Sequence, residues 1–136
     1  MVLSHQDMIT LFRNSAPYIN AHRGKTFVLM ISGEAIESPT LPTIIHDIAL
    51  LNTLGVRVVI VHGARPQIDE RIELRNIKGR FHGDVRITDK TTLECVKDAA
   101  GSVRSQVEAL LTMGLANSPM HGAQIRVASG NLVVAK

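Results

Sequence analysis

Two apolar runs that each lead straight into a glycine loop constrain this chain more than anything else in it. They are Thr26-Phe27-Val28-Leu29-Met30-Ile31-Ser32-Gly33-Glu34-Ala35-Ile36 and Val56-Arg57-Val58-Val59-Ile60-Val61-His62-Gly63-Ala64-Arg65-Pro66-Gln67-Ile68-Asp69. Short runs of nearly unbroken apolar character read as parallel strands covered on both faces, with Arg57 the one polar interruption. Between them Ile44, Ile45, Ile48, Leu51 and Leu54 recur at helical intervals, His46, Asp47 and Asn52 fall on the other side, and Gly55 supplies the stop. The unit is therefore βαβ, and its crossover is expected to be right-handed. In an open parallel sheet the loops leaving the carboxyl ends of neighbouring strands form the ligand crevice, where glycine lets backbone N–H groups approach an anion.

The flanking segments fill in the order of elements. Met8, Ile9, Leu11, Phe12 and Ala16 predict an amphipathic helix over Gln6–Tyr18, ended by the Pro17 region, and Ala21–Lys25 forms a basic turn into the first strand. Pro66 suits the first turn of a further helix whose inner face carries Ile68 and Ile72. Gly79 and Gly83 break the pattern from Lys78 to Ile87 into a hairpin or irregular excursion. Asp89 is a good N-cap for a long helix with an apolar stripe of Leu93, Val96, Ala100, Val103, Val107, Leu110 and Leu111, ending at Gly114 and divisible at Gly101-Ser102. Asn117-Ser118-Pro119 marks a turn, and Gln124–Ala128 and Leu132–Ala135 read as a second hairpin around Ser129-Gly130-Asn131. An apolar strand one residue from the last residue leads to the expectation of a truncated chain.

Composition serves mainly to exclude. A single cysteine, Cys95, rules out an internal disulfide, suits a reducing compartment and reads as a packed thiol on the long helix. The first residues lack a signal-peptide core and no apolar run is long enough to span a membrane, so a cytoplasmic protein with no membrane partner is expected. The net charge of +3 is dispersed and aromatics make up 3%, which leaves neither a phosphate-tracking stripe nor a stacking platform; nucleic acid is not an expected partner. Six histidines form no compact ligand motif, so no metal site is expected, and His62 near the crevice reads as a strand-end residue.

Gly33-Glu34-Ala35-Ile36, Gly63-Ala64-Arg65-Pro66-Gln67-Ile68-Asp69 and Arg86-Ile87-Thr88-Asp89, in this order and spacing, resemble the amino acid kinase family in the form found at the N-terminus of bacterial N-acetylglutamate synthases. The resemblance covers essentially the whole chain. It implies an α/β fold of three layers, α-β-α, with a mainly parallel open sheet, the carbamate-kinase-like fold, of which only the N-terminal portion is present. It implies residues 1–25 as an N-terminal helix and turn, residues 26–136 as the first part of the kinase-like domain, and an absent acetyltransferase domain. The parent enzyme would transfer acetyl from acetyl-CoA to L-glutamate, opening arginine synthesis, with L-arginine as effector and a homo-oligomeric state. The portion in hand would be a regulatory and assembly scaffold with no catalytic residue and no cofactor of its own.

The same resemblance distributes roles among residues. Kinases of the family lead from the first strand into a Lys-x-Gly-Gly loop whose lysine neutralises phosphoryl oxygens, but here that position holds Met30 and a single loop glycine, Gly33, follows Ser32. Lys25 lies at the opposite end of the strand and is no substitute. Glu34, Gly63 and Arg65 complete the crevice loops; Arg65 either binds a carboxylate bidentately or pairs with Glu34 or Asp69 to lock the loops. Arg86 matches an arginine that helps hold substrate carboxylate, with a surface ion pair as its alternative. Asn14 and Tyr18 match a segment beside the arginine pocket of regulated relatives, with anchoring of its own helix the alternative for Tyr18. Arg57 serves either that regulatory region or an edge or ion-pair role. Two other functional classes stay open: a working acetylglutamate-kinase-like enzyme, and a non-catalytic oligomerisation or regulatory module.

Overall fold

The computed structural model describes residues 4–114 and 125–130. Helix α1 spans His5–His22 and begins in a capping box, in which Ser4 Oγ accepts from the Asp7 N–H while the Asp7 carboxylate accepts from the Ser4 N–H. The expected end near Pro17 is corrected, since the helix runs through it. Proline removes one N–H donor and crowds the carbonyl four residues back. No residue of α1 is buried, so water can serve the carbonyl left over, and the helix stops only where Gly24 takes φ 76°.

Strands β1 (Thr26–Ile31) and β2 (Arg57–His62) pair in parallel from Thr26 opposite Arg57 to Ile31 opposite His62. Helices α2 (Gly33–Glu37) and α3 (Leu41–Thr53) form the crossover, and Gly55 closes it at φ 90°. Helix α4 (Arg65–Leu74) follows with Pro66 in its first turn, and Asn76 at φ 52° ends it, with the Ile77 N–H bonded to the Ile72 carbonyl. Strands β3 (Arg80–His82) and β4 (Val85–Ile87) form an antiparallel hairpin turned by Gly83, so the Gly-broken stretch resolves as a hairpin. Helix α5 (Lys90–Met113) is continuous through Gly101-Ser102, which corrects the possible division there.

The architecture is α/β, with the core between the parallel pair and the helices on one side of it. Alternate side chains Leu29 and Ile31 of β1 and Val58 and Ile60 of β2 join Ile36, Leu41, Ile45 and Ile48 from the crossover and Val103, Val107 and Leu111 from α5. The other face carries Val28 (68% exposed), Met30 (79%), Val59 and Val61, all open. Among the described residues, then, the strands expected to be covered on both faces are covered on one. Of the three layers anticipated, the described residues supply the sheet and one helical layer. The buried face of α5 also differs from the expected stripe. Thr92, Cys95, Ala99, Val103, Val107 and Leu111 are buried, whereas Leu93 is exposed, because small side chains in the first half of the helix let it approach its neighbours closely.

Residues 125–128 form no strand, against the expected second hairpin; Gln124 and Leu132–Ala135 lie outside the described residues, as does the turn expected at 117–119.

Asp89 caps α5 by accepting from the Thr92 N–H at 2.8 Å. That bond, reinforced by the Thr92 hydroxyl, holds its carboxyl below the ordinary carboxylate range. A folded-state pKa depressed in this way contributes stability that is present above the unfolded value and is lost as pH falls through the folded one. Asp89→Asn keeps a capping oxygen and removes the titration. Denaturation midpoints are therefore expected to favour the wild type at neutral pH and to converge with the variant below about pH 4; a gap that persists in acid would contradict this account.

Candidate functional site

The loops after β1 and β2 meet at the carboxyl ends of the strands, where an open parallel sheet places its ligands. Ser32 follows β1 and caps α2, accepting from the Ala35 N–H at 3.2 Å. The Gly63 N–H bonds to the Ile31 carbonyl at 2.8 Å and brings the second loop against the first. Gly33 is buried, and a Cβ placed on it would stand 2.5 Å from Pro66 Cδ and 2.9 Å from the Arg65 backbone nitrogen. One on Gly63 would stand 3.1 Å from the Gly33 nitrogen. The absence of side chains at both positions is what lets the loops touch.

Beside them opens a cleft of about 610 Å³ lined by Glu34, Glu37, Arg65, Pro66, Asp69, Glu70 and Glu73. Of its five carboxylates, Asp69 is paired with Arg86 and Glu70 with Arg71, which leaves Glu34, Glu37 and Glu73 against Arg65 and a moderate acidic excess that disfavours phosphate oxygens. The Glu34 carboxyl is held below its usual range by its own backbone N–H, then by the Ser32 hydroxyl, with a smaller contribution from Arg65. Charge is thus concentrated at the cleft rim at neutral pH. Among the described residues, no group of three or more His, Cys, Asp and Glu is arranged to hold a metal ion, and no helix is long and apolar enough to cross a membrane.

The structure brings some of the expected site residues together and separates others. Gly33, Glu34, Gly63 and Arg65 converge on the cleft and its floor. Arg65 is exposed and makes no ion pair within 4.0 Å among the described residues: Asp69 is engaged by Arg86, and Arg65 acts on Glu34 only at longer range. Arg86 is largely buried, pairs with Asp69 and lies 4.7 Å over the Phe81 ring, so its guanidinium fastens the β3–β4 hairpin to α4. Arg57 is exposed and donates from Nη2 to the Gly24 carbonyl at 2.8 Å, a structural bond at the amino ends of the strands. Asn14 and Tyr18 stand on the exposed helix α1, Tyr18 at 71% exposure, and neither lines the cleft.

Sequence reasoning assigned no role to Gln67. It is 7% exposed and donates from Nε2 to the Gly33 carbonyl at 2.8 Å. The one available signal was a polar residue beside Pro66 in a helix's first turn, which by itself reads as a solvated position.

Residues 25–135 match the amino acid kinase family. The chain is 52% identical over 130 residues to an amino-acid acetyltransferase of Pseudomonas paraeruginosa, an alignment covering 96% of this chain and 30% of that protein. It is 53% identical over 131 residues to an amino-acid acetyltransferase of Azotobacter vinelandii, again covering 96% of the chain and 30% of the relative. Among solved structures, N-acetylglutamate synthase from Neisseria gonorrhoeae, complexed with coenzyme A and N-acetyl-glutamate, superposes with a TM-score of 0.75 at 35% identity, over 94% of this chain and 28% of that one. The chain thus spans about three tenths of the length of the relatives it matches. With the family match running from the turn before β1 nearly to the last residue, and with a parallel βαβ unit bearing two apposed glycine loops, the chain belongs to the amino acid kinase family.

Proposed function

We propose that the chain is the N-terminal part of an N-acetylglutamate synthase, an amino-acid acetyltransferase that moves the acetyl group of acetyl-CoA to the α-amine of L-glutamate in the first step of arginine biosynthesis. The observation that carries this reading is identity of about one residue in two, sustained over 96% of the chain, to proteins bearing that name. In that reaction the amine attacks the thioester carbonyl, the carbon–sulfur bond breaks, and coenzyme A leaves as the thiol. No residue of this chain is assigned to those steps. Its part is that of a regulatory and assembly scaffold in a cytoplasmic homo-oligomer, with L-arginine as effector; Asn14, Tyr18 and Arg57 are its candidate regulatory residues and Gly33, Glu34, Gly63, Arg65 and Arg86 its crevice residues.

The same features weigh against a working kinase. The kinase lysine position holds Met30, whose side chain projects from the open face of the sheet rather than into the loop. The cleft beside the loops keeps an acidic excess from Glu34, Glu37 and Glu73 after Asp69 and Glu70 are paired with arginines, which opposes the charge of a transferring phosphoryl group. A non-catalytic assembly module remains the second reading, favoured by the exposed apolar residues of α1, Leu11 at 64% and Phe12 at 74%.

Assay of thiol release from acetyl-CoA in the presence of L-glutamate tests the proposal. The product of the complete gene is expected to release coenzyme A and form N-acetylglutamate, and residues 1–136 alone to do neither. Turnover by the isolated chain would overturn the scaffold role, and its absence from the complete product would overturn the synthase reading.

A further inference from the structure

An ion pair ties the β3–β4 hairpin to α4, and its two partners stand in different surroundings. Arg86 faces Phe81 in the antiparallel register, its guanidinium lies 4.7 Å over the Phe81 ring, and 13% of its side chain is exposed. Gly79 passes alongside, since a Cβ placed on it would stand 3.5 Å from Arg86 Nη1. An aromatic face and a bare stretch of backbone therefore hold the guanidinium, while its Nη2 donates to Asp69 Oδ1. The acid is the open partner: its side chain is 47% exposed and lines the cleft of about 610 Å³.

We propose that Arg86 forms a carboxylate-binding site which the chain fills with its own Asp69, an autoinhibitory contact that keeps free carboxylates out of the cleft. A planar guanidinium held on an aromatic face matches the edge of a carboxylate and discriminates it from a spherical anion. A largely buried guanidinium that loses its partner is left as an uncompensated charge, and a replacement anion relieves that cost. Asp69 outcompetes carboxylates in solution because its tether holds it beside Arg86 at high effective concentration. The unpaired acids of the cleft, Glu34, Glu37 and Glu73, add a second barrier to free anions. Because Asp69 reaches Arg86 from the cleft, removal of its carboxylate leaves a space that a small acid can enter from solvent. A pair that only braced the hairpin would lose stability with Asp69 and recover none from a carboxylate in solution. The inference rests on these contacts and not on the synthase reading.

Chemical rescue of Asp69→Ala by sodium formate, which restores the removed carboxylate atom for atom, tests it, with sodium chloride at the same concentration as control. At about 200 mM, formate is expected to raise the melting temperature of the variant by about 4 °C over chloride and that of the wild type by less than about 1 °C. The Arg86 Nε–H resonance of the variant is expected to shift with formate and saturate, at an affinity at least about tenfold tighter than in the wild type. The double variant Asp69→Ala/Arg86→Gln is expected to lose the response, which separates Arg86 from the exposed Arg65 nearby. Equal effects of formate and chloride, equal formate binding by wild type and variant, or a response that survives in the double variant would each overturn the proposal. If Asp69→Ala is unfolded in chloride, recovery of the native spectrum in formate supports the proposal and its failure to recover overturns it.

Discussion

Gly33→Ala is expected to lower the free energy of unfolding by about 3 kcal/mol, at the upper end of the range for inserting a methyl group into close-packed surroundings. The size follows from what the new Cβ would meet. Pro66 Cδ at 2.5 Å belongs to a rigid ring and the Arg65 nitrogen at 2.9 Å to the backbone, so neither can rotate away, and Gln67 Oε1 at 2.8 Å cannot move without losing the bond its amide makes to the Gly33 carbonyl. The same change at Gly63 meets the Gly33 nitrogen at 3.1 Å, where a few tenths of an ångström of adjustment suffices, and about 1 kcal/mol is expected. Gly101, inside α5 with nothing within 4 Å of an added methyl, should behave oppositely and gain about 0.5–1 kcal/mol as alanine. Urea denaturation of the three variants would give this order. Equal effects at Gly33 and Gly101 would mean that the loops are not in contact.

Ile45→Ala is expected to cost about 4 kcal/mol, whereas Met30→Ala, a comparable loss of apolar atoms, should stay within about 0.5 kcal/mol. Ile45 is 1% exposed among Ile31, Ile48 and Val103, and truncating it leaves a cavity that helices pinned on both sides fill poorly. Met30 is 79% exposed on the face of the sheet that no described residue covers, so its truncation removes few contacts. Denaturation of the isolated chain distinguishes this one-sided packing from a sheet enclosed on both faces, which would make the two costs similar.

Much of the fold is legible from periodicity. The βαβ unit, the stop at Gly55, the cap at Asp89 and the hairpin around Gly83 follow from local rules whose causes lie within a few residues. Packing decides the points that differ. An unbroken apolar strand states that both faces suit burial, and it cannot state which face this stretch of chain covers. Pro17 reads as a terminator because the rule weighs a lost hydrogen bond without asking whether water replaces it. In α5 the large Leu93 draws the expected stripe one position away from Thr92, whose small side chain is what close approach requires. At the site, the glycines and Arg65 are legible from their place after the strands, while the capture of Asp69 by Arg86 and the burial of Gln67 depend on partners 17 and 34 positions away.

The burial of Cys95 gives the molecule a reporter of its own. It is the single thiol in the chain and has 0% exposure in the packed face of α5. A thiolate must be reached by solvent before it can be alkylated. The rate at which a small electrophile modifies this protein therefore counts the excursions in which α5 leaves its neighbours, with no label to introduce and no second cysteine to confuse the signal.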